Sequence, residues 1–159
     1  MDATAMRAAV LGGATGARSM TGLAGVALTT RPDRAPGWVG RLGNRWGRGV
    51  TATAALGEML ADKSPRIPSR LSPPVLAERI TVGAVSAAAL ARRDGGRPAV
   101  AVLLAVAGVV GMSVVGARWR AYAQQRGRTT AAAAALVEDL AAVVLAAAAC
   151  APRRRGRWR

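Results

Sequence analysis

Charged residues in this chain of 159 residues occur in short clusters, and the stretches between the clusters are long and almost free of charge. Hydrophobic residues make up 52% of the sequence, yet its formal net charge is +15. A soluble domain spreads its charges over its surface, whereas a membrane protein separates apolar spans from charged ends that reach water. The pattern therefore predicts an integral membrane protein, with the lipid bilayer as its first partner.

Five apolar segments rich in Ala and Gly follow one another, and a basic tail ends the sequence. The segments cover residues 6–29, 49–63, 75–91, 99–117 and 129–151, and the tail covers 152–159. As a helix, segment 49–63 would be about 22 Å long, which is short of the ~30 Å hydrocarbon layer, so we expect it to be half-spanning or re-entrant. The predicted fold class is all-α, a polytopic membrane bundle of four to five helical segments.

Two weaker patterns concern packing. Gly12 and Gly16 form a small-xxx-small pair, which lets two helices approach closely in lipid. Both halves of the chain run from a Gly/Ala-rich segment to a later helix with two acids, which indicates a weak inverted repeat. Small Ala/Gly-rich helices bury little surface on their own, so the composition is also compatible with a homo-oligomer.

The distribution of basic residues predicts an orientation. If all five segments cross the membrane, 13 basic residues, including the five Arg of the tail, lie on one side, and 8, including Arg7, lie on the other. Because cytoplasmic loops carry the excess of Lys and Arg, the C-terminus is then expected in the cytoplasm. We expect a multi-pass protein of a bacterial plasma membrane.

Six charged residues lie inside the apolar segments and form the candidate site. A single Asp, Lys or Arg at the bilayer centre costs about 2.5–3.5 kcal/mol, so we expect these side chains to face the bundle interior and to pair. The natural pairing sets two bases against four acids, and the excess of acids requires either a protonated carboxyl or a bound cation. The candidate residues are Arg18, Glu58, Asp62, Lys63, Glu138 and Asp139.

Three short motifs carry a resemblance to a known family. They are Gly-Ala-Arg-Ser at 16–19, Gly-Glu-Met-Leu-Ala-Asp-Lys-Ser-Pro at 57–65, and Val-Glu-Asp-Leu-Ala at 137–141. In these motifs the chain resembles an uncharacterised family of bacterial membrane proteins, the domain of unknown function 4126. The resemblance implies a multi-helix membrane protein and implies no activity. The stretch 118–128 departs from the family pattern, because it is shorter and poorer in polar residues.

Several function classes are disfavoured by composition. His is absent and Cys150 is the single cysteine, so we expect no metal site, no cofactor and no internal disulfide. The Arg residues bracket apolar segments and do not line one face with aromatics between them, so we expect no nucleic-acid partner. No catalytic motif is present, and we expect no enzymatic activity, although an enzyme acting on lipids is a third alternative.

Two hypotheses therefore lead. In the first, the protein is a small transporter or permeation protein for a small molecule or ion, and the six intramembrane charges line its polar site. In the second, it is a structural or assembly protein of the membrane, and its ion pairs only fix how the helices pack. The first hypothesis predicts that neutralising Glu138 and Asp139 abolishes transport. The second predicts that neutralising both signs together is tolerated.

Overall fold

The computed structural model describes residues 3–61, 71–125 and 131–152, and these residues form an all-α bundle, as predicted. No strand occurs within these ranges. A short 3-10 helix, Pro32–Arg34, joins the second α-helix to the third. The seven α-helices are α1 Ala3–Ala17, α2 Ser19–Thr29, α3 Gly37–Leu42, α4 Arg45–Ala61, α5 Pro73–Asp94, α6 Pro98–Gln125 and α7 Ala131–Cys150.

Three helices, α5, α6 and α7, are long and apolar enough to cross a membrane. They correspond to the predicted segments 75–91, 99–117 and 129–151. The first two extend beyond the predicted bounds, because Pro73 and Pro98 open their helices and α6 continues to Gln125. Gly95, with a φ of 74°, ends α5 in the left-handed conformation that glycine adopts readily. The connection to α6 is therefore tight, and the two helices are antiparallel neighbours.

The first predicted segment is not one helix, because the chain breaks at Arg18. This residue has extended backbone angles, with φ −144° and ψ 115°, and α2 starts directly after it. A Cβ placed on Gly22 would lie 3.4 Å from the carbonyl oxygen of Leu11. Eleven residues of straight helix would separate these positions by about 16 Å, so α2 must turn back alongside α1. Residues 6–29, predicted as one apolar segment whose many glycines also suit a kinked or partly unwound stretch, therefore form a helical hairpin.

The hairpin is held against α6 by contacts between backbones. A Cβ on Gly12 would lie 2.7 Å from the Cα of Ala105, and a Cβ on Gly16 would lie 3.0 Å from the Cα of Val109. On the opposite side of this interface, a Cβ on Gly108 would lie 2.9 Å from the nitrogen of Gly13. The small-xxx-small pair of the sequence is therefore the surface on which α1 packs against α6.

One end of the bundle, which we call the arginine-rich end, gathers the start of α1 and the ends of α2, α5 and α7. Arg7 lies 2.5 Å from Asp94 and donates hydrogen bonds to the carbonyls of Ala149 (2.6 Å) and Ala151 (2.7 Å). Arg93 donates to Thr29 Oγ1 at 2.6 Å. These guanidinium groups meet helix C-termini, where the helix dipoles favour positive charge.

The helix α4 packs antiparallel to α2. At the arginine-rich end, Arg48 donates to the carbonyl of Thr30 at 2.6 Å, and at the other end of the pair Glu58 reaches the start of α2. The helix begins at Arg45, four residues before the predicted start of segment 49–63, because the side chain of Asn44 accepts a hydrogen bond from Gly47 N. Its described part, Arg45–Ala61, has 17 residues and is about 25 Å long, and residues 62 and 63 of the predicted segment lie outside the described residues.

The two halves of the described chain differ in construction. The first half contains the α1–α2 hairpin and the short α4, whereas the second half consists of the three long helices. The weak inverted repeat stays a prediction, because Asp62, one of the acids that suggested it, lies outside the described residues.

Candidate functional site

Arg18 occupies the break between α1 and α2, and its side chain is 0% exposed. Its Nε donates a hydrogen bond to Asp139 Oδ1 at 2.5 Å, from the middle of α7. A buried guanidinium without a counterion would be strongly unfavourable, so this pairing is what allows Arg18 to lie inside the bundle. One of the pairings expected from the sequence, between Arg18 and an acid of the last segment, is present.

The start of α2 is capped by a residue from another helix. Glu58 of α4 accepts hydrogen bonds from the backbone nitrogens of Ser19 (2.7 Å, through Oε1) and Met20 (2.9 Å, through Oε2). The first N–H groups of any helix lack partners within the helix, and the helix dipole favours a negative charge beside them. Glu58 therefore performs the role of an N-cap, although 39 residues separate it from Ser19.

The end of α1 is satisfied by Arg79 of α5. Its guanidinium donates to the carbonyl oxygen of Gly16 at 2.5 Å and lies 3.6 Å from Glu58 Oε1. The hydroxyl of Ser113, on α6, also donates to the Gly16 oxygen at 3.4 Å. Arg79 thus joins the last turn of α1 to the carboxylate that caps α2, and so connects both sides of the break.

Taken together, these contacts form what we call the break cluster, which consists of Arg18, Glu58, Arg79 and Asp139. Four helices or helix junctions contribute to it, and it contains two positive and two negative side chains. The two guanidinium groups are the inner part, with side chains 0% and 5% exposed, whereas the carboxylates of Glu58 and Asp139 are 20% and 14% exposed. The accessible side of the break cluster is therefore acidic.

A second ion pair lies apart from the break cluster. Glu138 accepts hydrogen bonds from Arg120, with Nη2 2.9 Å from Oε2 and Nε 3.2 Å from Oε1. This bidentate geometry gives a strong, directional contact between α6 and α7. Glu138 and Asp139 are adjacent in sequence, but neighbouring residues of a helix point about 100° apart, so they meet different partners.

Each described acid of the predicted site has an arginine beside it. The sequence suggested an excess of acids over bases, and the structure pairs Asp139, Glu58 and Glu138 with Arg18, Arg79 and Arg120. The predicted excess also counted Asp62 and Lys63, so the charge balance of the full set stays a prediction. Asp62 and Lys63, two of the predicted site residues, lie outside the described residues.

Arg79 and Arg120 are the site residues that sequence reasoning missed. Arg79 stands within the charge-poor segment 75–91, and an Arg in such a position is itself a sign of an intramembrane pair. Arg120 follows the predicted end of segment 99–117, but α6 continues beyond it to Gln125. A longer predicted helix would place Arg120 within α6 and opposite the acids of α7.

Among the described residues, no group of three or more His, Cys, Asp or Glu side chains could hold a metal ion. What the break cluster offers is a fixed set of charges around non-helical backbone, at the centre of an apolar bundle. Such a set can bind or pass a polar solute, or it can lock helices in register.

Comparison of the sequence and the fold with known proteins identifies no relative. No protein-family model matches the sequence, no curated protein matches it, and no solved structure matches the fold. The resemblance to the domain of unknown function 4126 therefore stays a proposal based on the three motifs. Function is inferred from the residues of the break cluster.

Proposed function

We propose that this chain is a small membrane permeation protein, in which the break cluster lines the route of a polar solute. The observation that carries the proposal is the extended backbone at buried Arg18, between two helices that fold back on each other. Non-helical backbone at membrane depth is tolerated where it is buried in protein or lines a cavity. Discontinuous helices with charged groups near the midplane are a recurring feature of secondary transporters.

The depth of the break supports this proposal. From the arginine-rich end, the 15 residues of α1 reach about 22 Å inward, and the 15 residues between Arg79 and Asp94 cover the same distance. The hydrocarbon layer is about 30 Å thick, so the break cluster falls well inside it. Charges at this depth are costly, and proteins that retain them commonly use them for transport or proton relay.

The proposed location is a bacterial plasma membrane, with the arginine-rich end in the cytoplasm. Because the first segment folds back, Arg7 joins the same end as the linker after α2, and not the opposite side as the sequence count assumed. Within the described residues, this end carries nine arginines and the opposite end carries only Arg118 and Arg120. The nine are Arg7, Arg31, Arg34, Arg41, Arg45, Arg48, Arg92, Arg93 and Arg97. The positive-inside rule then assigns the end of α7 to the cytoplasm.

The test is solute flux through proteoliposomes. Purified protein is reconstituted under a KCl gradient, and current in a planar bilayer gives both conductance and its ion selectivity. The variant R18Q/D139N removes both charges of one pair and avoids leaving a single buried charge. We expect it to insert normally and to lose the flux of the native protein.

The matched control for this experiment is R120Q/E138Q, which removes an Arg–carboxylate pair outside the break. We expect it to keep most of the flux. Equal loss in both double variants would show that flux depends on general packing, and would overturn the assignment of the route to the break cluster. The proposed function would be overturned if the native protein passed none of the tested solutes, namely K⁺, Cl⁻, protons and small organic acids.

A structural or assembly role is the second candidate, and one observation favours it. Asp139, Glu58 and Glu138 each contact an arginine of another helix or helix junction, so these three acids hold helices together. Buried pairs of this kind fix register at little net stability. This role predicts that the native protein shows no solute flux. It also predicts that R18Q/D139N folds, inserts and assembles like the native protein.

A further inference from the structure

A shallow apolar groove, wide open to the surroundings, lies on the outside of the bundle and away from the break cluster. It has a volume of about 490 Å³ and is lined by apolar side chains only. The lining residues are Trp38 of α3, Ala84, Val85 and Ala88 of α5, and Val102 of α6. The small side chains of the two alanines on α5 leave room below the large ring from α3.

A positively charged side chain, that of Arg92, lies one helical turn beyond the groove along α5. Ala84, Ala88 and Arg92 are spaced by four residues, so they follow one another along the same row of α5. Arg92 is exposed and has no ion-pair partner among the acids in the described part of the chain. Its neighbour Arg93, by contrast, lies 2.9 Å from Asp94. Arg92 is therefore an available cation one turn beyond the groove.

The position along α5 matches the profile of a bilayer. Arg92 belongs to the arginine-rich end, and Ala84 lies about 12 Å deeper along the helix axis. Trp38 is 40% exposed, and an indole ring at this level has the place of an interfacial tryptophan. Going inward from the arginine-rich end, the surface presents first the guanidinium of Arg92, then the indole ring of Trp38 and then the apolar groove.

We propose that this groove binds an anionic phospholipid, whose phosphate meets Arg92 and whose acyl chain lies along Ala88 and Ala84 beneath Trp38. An arginine guanidinium binds a phosphate bidentately. Charge complementarity favours an anionic lipid over a zwitterionic one, because a choline group would bring a second cation next to the arginine-rich end. A neutral apolar ligand would leave Arg92 without a role. The site is independent of the break cluster and of the proposed flux.

The test is lipid binding to the full chain in detergent, followed by native mass spectrometry. The probes are phosphatidylglycerol and phosphatidylcholine with identical acyl chains. We expect phosphatidylglycerol to bind more tightly, and R92Q to weaken it about fivefold, the factor that corresponds to roughly 1 kcal/mol for one basic residue near the headgroups. R97Q, which removes another exposed arginine of the same end, is the matched control and is expected to leave binding unchanged.

A second pair of variants tests the acyl-chain groove. A88L places a larger side chain in the groove and is expected to weaken both lipids, whereas A147L, at an exposed position of α7, is expected to weaken neither. Equal weakening by R92Q and R97Q would reveal diffuse charge attraction and would overturn the site. Unchanged binding in A88L, or equal affinity of the native protein for the two lipids, would also overturn it. Circular dichroism of each variant verifies that the helices are intact.

Discussion

The Nε atom of Arg18 lies 2.5 Å from Oδ1 of Asp139, across 121 residues of sequence. This contact places a fully buried guanidinium at the point where the first hairpin changes direction. The carboxylate comes from the middle of α7, a helix that packs against both α1 and α2. Arg18 and Asp139 therefore couple the geometry of the break to the position of α7, and their coupling can be measured.

The first prediction concerns this pair. R18Q and D139N should each lower the free energy of unfolding by about 3–5 kcal/mol, because each removes the oppositely charged partner of a side chain inside the bundle. R18Q/D139N should cost clearly less than the sum of the two. The measurement is a double-mutant cycle from reversible unfolding in mixed micelles. The exposed pair of Arg34 and Asp33, 3.8 Å apart, supplies the control cycle, for which no coupling is expected. Additive losses at Arg18 and Asp139 would contradict the structure.

The second prediction concerns the cap on α2. In E58Q, one carboxylate oxygen becomes an amide nitrogen and the negative charge is lost, so the backbone N–H groups of Ser19 and Met20 lose their charged acceptor. Hydrogen bonds to charged groups contribute about 1.5–3 kcal/mol, so we expect amide exchange at these two residues to become roughly 10- to 100-fold faster. Hydrogen exchange with mass spectrometry measures this. E78Q, which changes an exposed carboxyl of α5, is the control, and unchanged protection at Ser19 in E58Q would argue against the capping role.

The third prediction concerns the glycines between α1 and α6. G108A brings a Cβ to 2.9 Å from the nitrogen of Gly13, and overpacking of this kind costs about 1–3 kcal/mol. Gly111 of the same helix has nothing within 4 Å of the corresponding position, so G111A is expected to be neutral or slightly stabilising. Unfolding free energies of the two variants provide the comparison. Equal effects would mean that α1 does not approach α6 as closely as described.

The fourth prediction concerns topology. In a C150A background, cysteines introduced as A3C and R34C should react with an impermeant maleimide from the same side of the membrane, since the first segment folds back between them. A cysteine introduced as R118C should react from the opposite side. If residues 6–29 formed one crossing helix, A3C and R34C would instead be labelled from opposite sides. With intact cells, the proposed orientation makes R118C the reactive variant.

Much of the fold can be read from local patterns. The apolar stretches that form α5, α6 and α7 are long enough for length and hydropathy to identify them as candidate membrane spans. Gly12 and Gly16 also indicated a close helix contact, although not with which helix. Arg18, Glu58 and Asp139 stood out because a charge in an apolar stretch is costly wherever the chain folds.

Residue order alone thus predicts the helical class, the approximate spans and the charges inside apolar segments, because these depend on the solvation of each residue by lipid or water. The chain reversal at Arg18, the capping of α2 by Glu58, and the pairing with Arg79 and Arg120 become visible only once the helices are packed. A break in a helix is stable only when other groups satisfy its N–H and C=O groups. At the break, the capping carboxylate of Glu58 lies 39 residues from Ser19 in sequence, and Arg79, the donor to the Gly16 carbonyl, lies 63 residues from Gly16. A local sequence pattern cannot predict partners at such separations.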